Sequence, residues 1–111
     1  MDTLDRYRQI VRDALTEQTK IPYAHGEIEF EIVFDQERDR YLLMIVGREN
    51  HKRVHGCLLH LDIVGGKIWI QRDGTEDGIA NQLVKAGVPN KHIVLAFRSS
   101  EVRQYTEFAV A

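Results

Sequence analysis

Apolar residues recur at Leu4, Tyr7, Ile10, Val11, Ala14 and Leu15, the spacing that puts one buried stripe on an amphipathic helix. The pattern predicts a first helix from Asp2 to about Lys20. Asp2 or Thr3 would cap it, Asp5 would sit in its positive first turn, and Ile21-Pro22 would close it. The period then shortens to two. In Glu27 to Phe34, the residues Ile28, Phe30, Ile32 and Phe34 take one side and the glutamates take the other, as in a half-buried strand. A polar turn, Asp35 to Arg40, leads to Tyr41 to Val46, which is apolar on both parities and suits a central strand. Past the polar segment Gly47 to Lys52, a third strand runs over Arg53 to Val64. Alternation there puts Cys57, Leu59, Leu61 and Ile63 on one face and Val54, Leu58, His60 and Asp62 on the other. Gly65-Gly66 reads as a two-residue hairpin turn into a fourth strand, Lys67 to Arg72.

Thr75 to Ala86 fits a second helix, with Thr75 as N-cap, Ile79, Ala80, Leu83 and Val84 as the buried stripe, and Gly87 as the left-handed stop before Val88-Pro89. Ile93 to Phe97 has the length and composition of a short buried strand, and Ser99 to Gln104 fits one further helical turn before the tail Tyr105 to Ala111. The expected fold is α+β in one domain over residues 1–111. It comprises an N-terminal helix, a four-stranded antiparallel meander, a second helix, a short strand and a C-terminal tail.

At 111 residues, 43% of them hydrophobic, the chain can bury a core without covalent staples. Cys57 is its one cysteine, so no internal disulfide is available, and with no apolar leader behind a basic segment the expected location is the cytoplasm. No run approaches the roughly 18 apolar residues of a membrane helix. Fifteen Lys and Arg against seventeen Asp and Glu leave a net charge of −2, not the footprint of a nonspecific nucleic-acid binder.

Candidate chemistry is sparse. Asp73, Glu76 and Asp77 gather at a strand-to-helix junction, where carboxylates could hold a divalent cation for a metal-dependent hydrolase. Helix capping explains them better, and the lysine that follows an acidic strand residue in restriction-type nucleases is absent. The five histidines, His25, His51, His55, His60 and His92, show no zinc spacing, and strand parity sends His55 and His60 to opposite faces. The same parity puts Cys57 in the core. No phosphate-cradling glycine motif occurs, so no cofactor is indicated. Arg72, Arg98 and Arg103 are the candidate nucleic-acid contacts.

The face of the sheet turned away from the helices is expected to collect Val33, Leu42 or Leu43, Leu58, His60 and Trp69, too apolar a group for free solvent. Its cover would be the tail folding back, a second copy of the chain or a partner protein. Val33, Leu58, His60 and Trp69 are the candidate partner interface, with Trp69 as anchor.

The stretch Trp69 to Ala80, followed by Leu83-Val84, Gly87-Val88-Pro89, His92 to Phe97 and Arg103 with Tyr105 to Ala109, resembles the motifs of the XisI family, the fdxN element excision controlling factor proteins of cyanobacteria. The leading helix, Tyr23 and the Asp35 to Tyr41 hairpin extend the likeness over nearly the whole chain. The resemblance implies a part in programmed excision of a DNA element, beside a site-specific recombinase and a companion, XisH, that resembles restriction-type endonucleases. It carries over no catalytic residues. The expected function is that of a non-enzymatic accessory factor that binds this endonuclease-like partner, associates with DNA only indirectly and forms a homodimer. The alternatives are a control factor that binds DNA directly and the hydrolase above.

Overall fold

The computed structural model describes residues 2–22 and 26–111; Tyr23 and His25 lie outside the described residues. Helix α1 spans Thr3–Gln18 and is capped by Asp2, whose Oδ1 accepts the Asp5 amide at 2.7 Å. Tyr7, Val11, Ala14 and Leu15 form its buried stripe, while Leu4 in the first turn stays exposed.

Five strands form, near the predicted positions: β1 (Glu27–Asp35), β2 (Arg40–Glu49), β3 (Lys52–Val64), β4 (Lys67–Asp73) and β5 (Ile93–Leu95). They lie in the order β1-β2-β3-β4-β5, the first four antiparallel and β5 parallel to β4. The short apolar strand therefore completes the sheet as its fifth member, since α2 (Ile79–Lys85) carries the chain across and lets it return in the direction of β4. The polar segment Gly47 to Lys52, expected to separate the second and third strands, instead extends both of them to a two-residue turn. Asn50 and His51 take positive φ there, 52° and 67°, as the twist of a tight hairpin demands.

Helices α1 and α2 cover one face. Tyr41, Leu43, Leu59, Leu61, Ile68 and Ile70 from the sheet meet Tyr7, Val11, Leu15, Ile79 and Leu83 from the helices in one core. Among the described residues, four side chains of α1 make polar links to the rest. Arg6 donates to the Ala86 carbonyl at 3.4 Å and Arg12 to Gln36 Oε1 at 2.6 Å. Arg8 grips Asp39 through Nε at 2.7 Å and Nη2 at 3.0 Å, and the Tyr7 hydroxyl shares a 2.6 Å hydrogen bond with His92 Nδ1.

Helix α2 starts later than predicted. Thr75 is not its N-cap: Gly78 occupies that position at φ 84° with no capping side chain, and Asp73 reaches forward so that its Oδ2 accepts the Ile79 amide at 2.8 Å. At the other end Gly87, at φ 109°, stops the helix as expected. Its amide donates to the Val84 carbonyl and that of Val88 to the Leu83 carbonyl, each at 3.0 Å, the reciprocal pair of a Schellman ending.

Candidate functional site

A β-bulge decides which side chains reach the open face of the sheet. Leu43 lies opposite Leu59, but Met44 lies opposite Cys57, so Leu58 is an extra residue in β3. A one-residue insertion inverts the parity of everything before it. Leu58 consequently faces the helices and packs against the core, which removes it from the expected partner interface. Cys57 leaves the core for the open face, where its thiol donates to the Leu59 carbonyl at 3.1 Å and burial pushes its pKa up. His55 and His60, opposite Val46 and Leu42, come to share that face, contrary to the alternation read from the sequence. Among the described residues no group of three or more His, Cys, Asp or Glu side chains could hold a metal ion.

A second bulge at Gln71 turns Gln71 and Arg72 to the same side. Gln71 Nε2 there donates to Asp62 Oδ2 at 3.3 Å, joining His60 Nε2 on Oδ1 at 2.8 Å and Arg40 Nη1 on Oδ2 at 3.4 Å. The Asp62 side chain is only 6% exposed, and three donors satisfy its carboxylate. Sequence alternation placed His60 and Asp62 on this face, but the strand register that sets Arg40 opposite Asp62 and brings Gln71 within reach belongs to the folded sheet.

Beside the cluster runs an apolar stripe of Leu42, Met44, Val46 and Cys57, half-buried, with Val33 of β1 49% exposed at its margin. Leu42 is the residue that faces outward; Leu43 is fully buried beneath the helices. Trp69 is only partly available, because α3 (Ser100–Arg103) crosses the β5 end of this face and sets the Arg103 guanidinium over the indole, 5.7 Å from the ring centroid. Val94, opposite Trp69, is fully buried. The tail does not fold back over the stripe. It runs along β5, with the Ala109 amide on the Ile93 carbonyl at 2.8 Å and Lys67 Nζ on the Ala111 carbonyl.

The three candidate nucleic-acid arginines meet different neighbours. Arg72 is exposed and its Nε donates to the Cys57 carbonyl at 3.4 Å, Arg98 lies over the Phe97 ring at 5.2 Å, and Arg103 is held by Trp69. The acidic group at the β4–α2 junction is split. Asp73 spends both carboxylate oxygens on the Thr75 amide and hydroxyl and the Ile79 amide, while Glu76 and Asp77 stand exposed.

The chain matches the family described as XisI protein over residues 1–110. Among solved structures it is similar to a XisI-like protein from Anabaena variabilis ATCC 29413, with TM-score 0.88 and 36% identity over 97% of this chain and 99% of that one. It is also similar to the fdxN element excision controlling factor XisI from the same organism, with TM-score 0.85 and 32% identity over 99% of this chain and 100% of that one. No curated protein matches it. With the family profile spanning all but the last residue and two solved relatives sharing the fold end to end, the chain belongs to the XisI family.

Proposed function

We propose that this protein is a non-enzymatic accessory factor of programmed DNA element excision, acting by contact with an endonuclease-fold partner of the XisH type. The observation behind this reading is the half-exposed stripe of Val33, Leu42, Met44 and Val46 on the sheet face opposite the helices, in a family one of whose members is named an excision controlling factor. The Asp73 carboxylate is occupied by capping, and the Cys57 thiol is raised by burial, away from nucleophilic use. The docking patch differs from the one read from sequence: Val33 stays, Leu58 leaves, His60 serves the Asp62 cluster, Trp69 is partly roofed by Arg103, and Met44 and Val46 join. A homodimer through the same stripe is the competing occupant.

Direct DNA binding has less behind it. Arg103 is committed to Trp69, Arg98 rests on Phe97, and the β1 border of the face carries an exposed glutamate row. Size-exclusion chromatography of the chain alone and mixed with an XisH-type protein tests the proposal. Co-elution is expected at micromolar concentration, weakened roughly tenfold or more by Val33→Glu with Met44→Glu while the melting temperature holds. Separate elution of the unaltered proteins would refute the adapter role. A mobility shift of bare DNA, abolished by Arg72→Ala and steeply salt-dependent, would favour the alternative.

A further inference from the structure

Strand β1 ends the sheet, and among the described residues nothing pairs with its outer side. An unpaired strand offers a row of free amides and carbonyls, and proteins usually blunt such edges by shortness, a bulge, proline or charged side chains, of which β1 uses only the last. β1 has nine residues, none of them proline, and pairs with β2 without a register shift. Its two sides differ. On the helix side, Phe30 and Phe34 pack at the margin of the core and Ile32 is left 42% exposed. On the other side Glu27, Glu29 and Glu31 are all exposed. Arg48 stands opposite Glu27, but Glu29 and Glu31 face Val46 and Met44, and among the described residues none of the three glutamates joins an ion pair.

This charge row rejects a second copy of the strand. Antiparallel self-pairing with the faces kept in phase sets acid against acid, for instance Glu31 on Glu31 with Glu27 on Asp35, and like charges directly opposite are destabilising. An added strand carrying Lys or Arg at alternate positions would meet the glutamates, and its apolar positions would extend the core past Ile32 and Phe30. We infer that β1 accepts, as a sixth strand, an extended segment of a partner protein that alternates apolar with basic residues. The inference rests on the reading that the chain works through protein contact, and it names the chemistry of that contact.

The probe is a synthetic peptide as long as β1 that alternates lysine and valine, read by amide hydrogen exchange and by titration, so the outcome is independent of any companion protein. Amides of β1 should gain protection while the other strands stay unchanged, and affinity should fall as salt rises. The variant Glu27→Lys/Glu29→Lys/Glu31→Lys should bind this peptide at least about tenfold more weakly and should bind the glutamate–valine counterpart instead, which also shows that it folds. Three results would overturn the inference: no protection of β1, equal binding of both peptides by the unaltered chain, or a dimer of the chain alone in which β1 amides are already protected.

Discussion

The two edges of the sheet are built in opposite ways. At β5 the strand has three apolar residues, Ile93 and Val94 are fully buried, the tail adds a parallel bridge at Ala109, and α3 roofs the adjoining Trp69. At β1 the strand is three times as long, alternates acid with hydrocarbon, and leaves Ile32 and Val33 in contact with water. A strand buried on both faces reads as a continuous apolar run, and one that is half-buried reads as alternation, so the contrast is written in the residues themselves. Stability should concentrate at the closed edge and recognition at the open one.

The largest effect is therefore expected at Ile93. Ile93→Ala leaves a cavity between β5 and the helices and should cost about 2–5 kcal/mol in urea denaturation. Loss of Asp73 comes next. Asp73→Ala frees the Ile79 and Thr75 amides at the junction that carries the chain from β4 to β5 and should cost about 1–2 kcal/mol, whereas Thr75→Ala should cost less because Thr75 does not cap α2.

The Arg8–Asp39 pair, at the turn between β1 and β2, should contribute less than the Asp73 cap. The Arg8 guanidinium holds the Asp39 carboxyl below the usual carboxylate range, so its contribution is complete above the unfolded pKa and is lost as the pH falls from about 4 towards the folded value. Asp39→Asn should flatten that acid limb of the stability profile. Its neighbour Tyr41 is pushed up to about 12 by burial and by donating to Asp39, so its share is kept below pH ~10 and lost above it. The smallest effect is expected at the open edge, where Ile32→Ala should cost less than about 1 kcal/mol.

Most elements were legible because one period dominates each. The Tyr7, Val11, Leu15 stripe, the β1 alternation and the Gly65-Gly66 turn, with φ of 58° and 77°, all appear as the pattern predicts. The candidate site was less legible, since a single inserted residue, Leu58, moves both Cys57 and His55 to the open face and nothing in the local composition marks it. Thr75 was misread for a related reason. A capping side chain six residues before the amide it accepts is a product of the β4–α2 turn, beyond the reach of local motifs. The parallel pairing of β5 followed from α2 crossing between antiparallel β4 and the last strand, a tertiary choice that apolar composition alone left open.

Amide hydrogen exchange, strand by strand, on the chain alone and with an XisH-type protein probes the contrast of edges most directly. In the free chain, Ile93–Leu95 should exchange slowly and the outward amides of β1 quickly, with β1 and the Leu42–Val46 stripe slowing once the companion is added. Equal protection of both edges in the free chain, or no change at β1 and its stripe on mixing, would contradict the account.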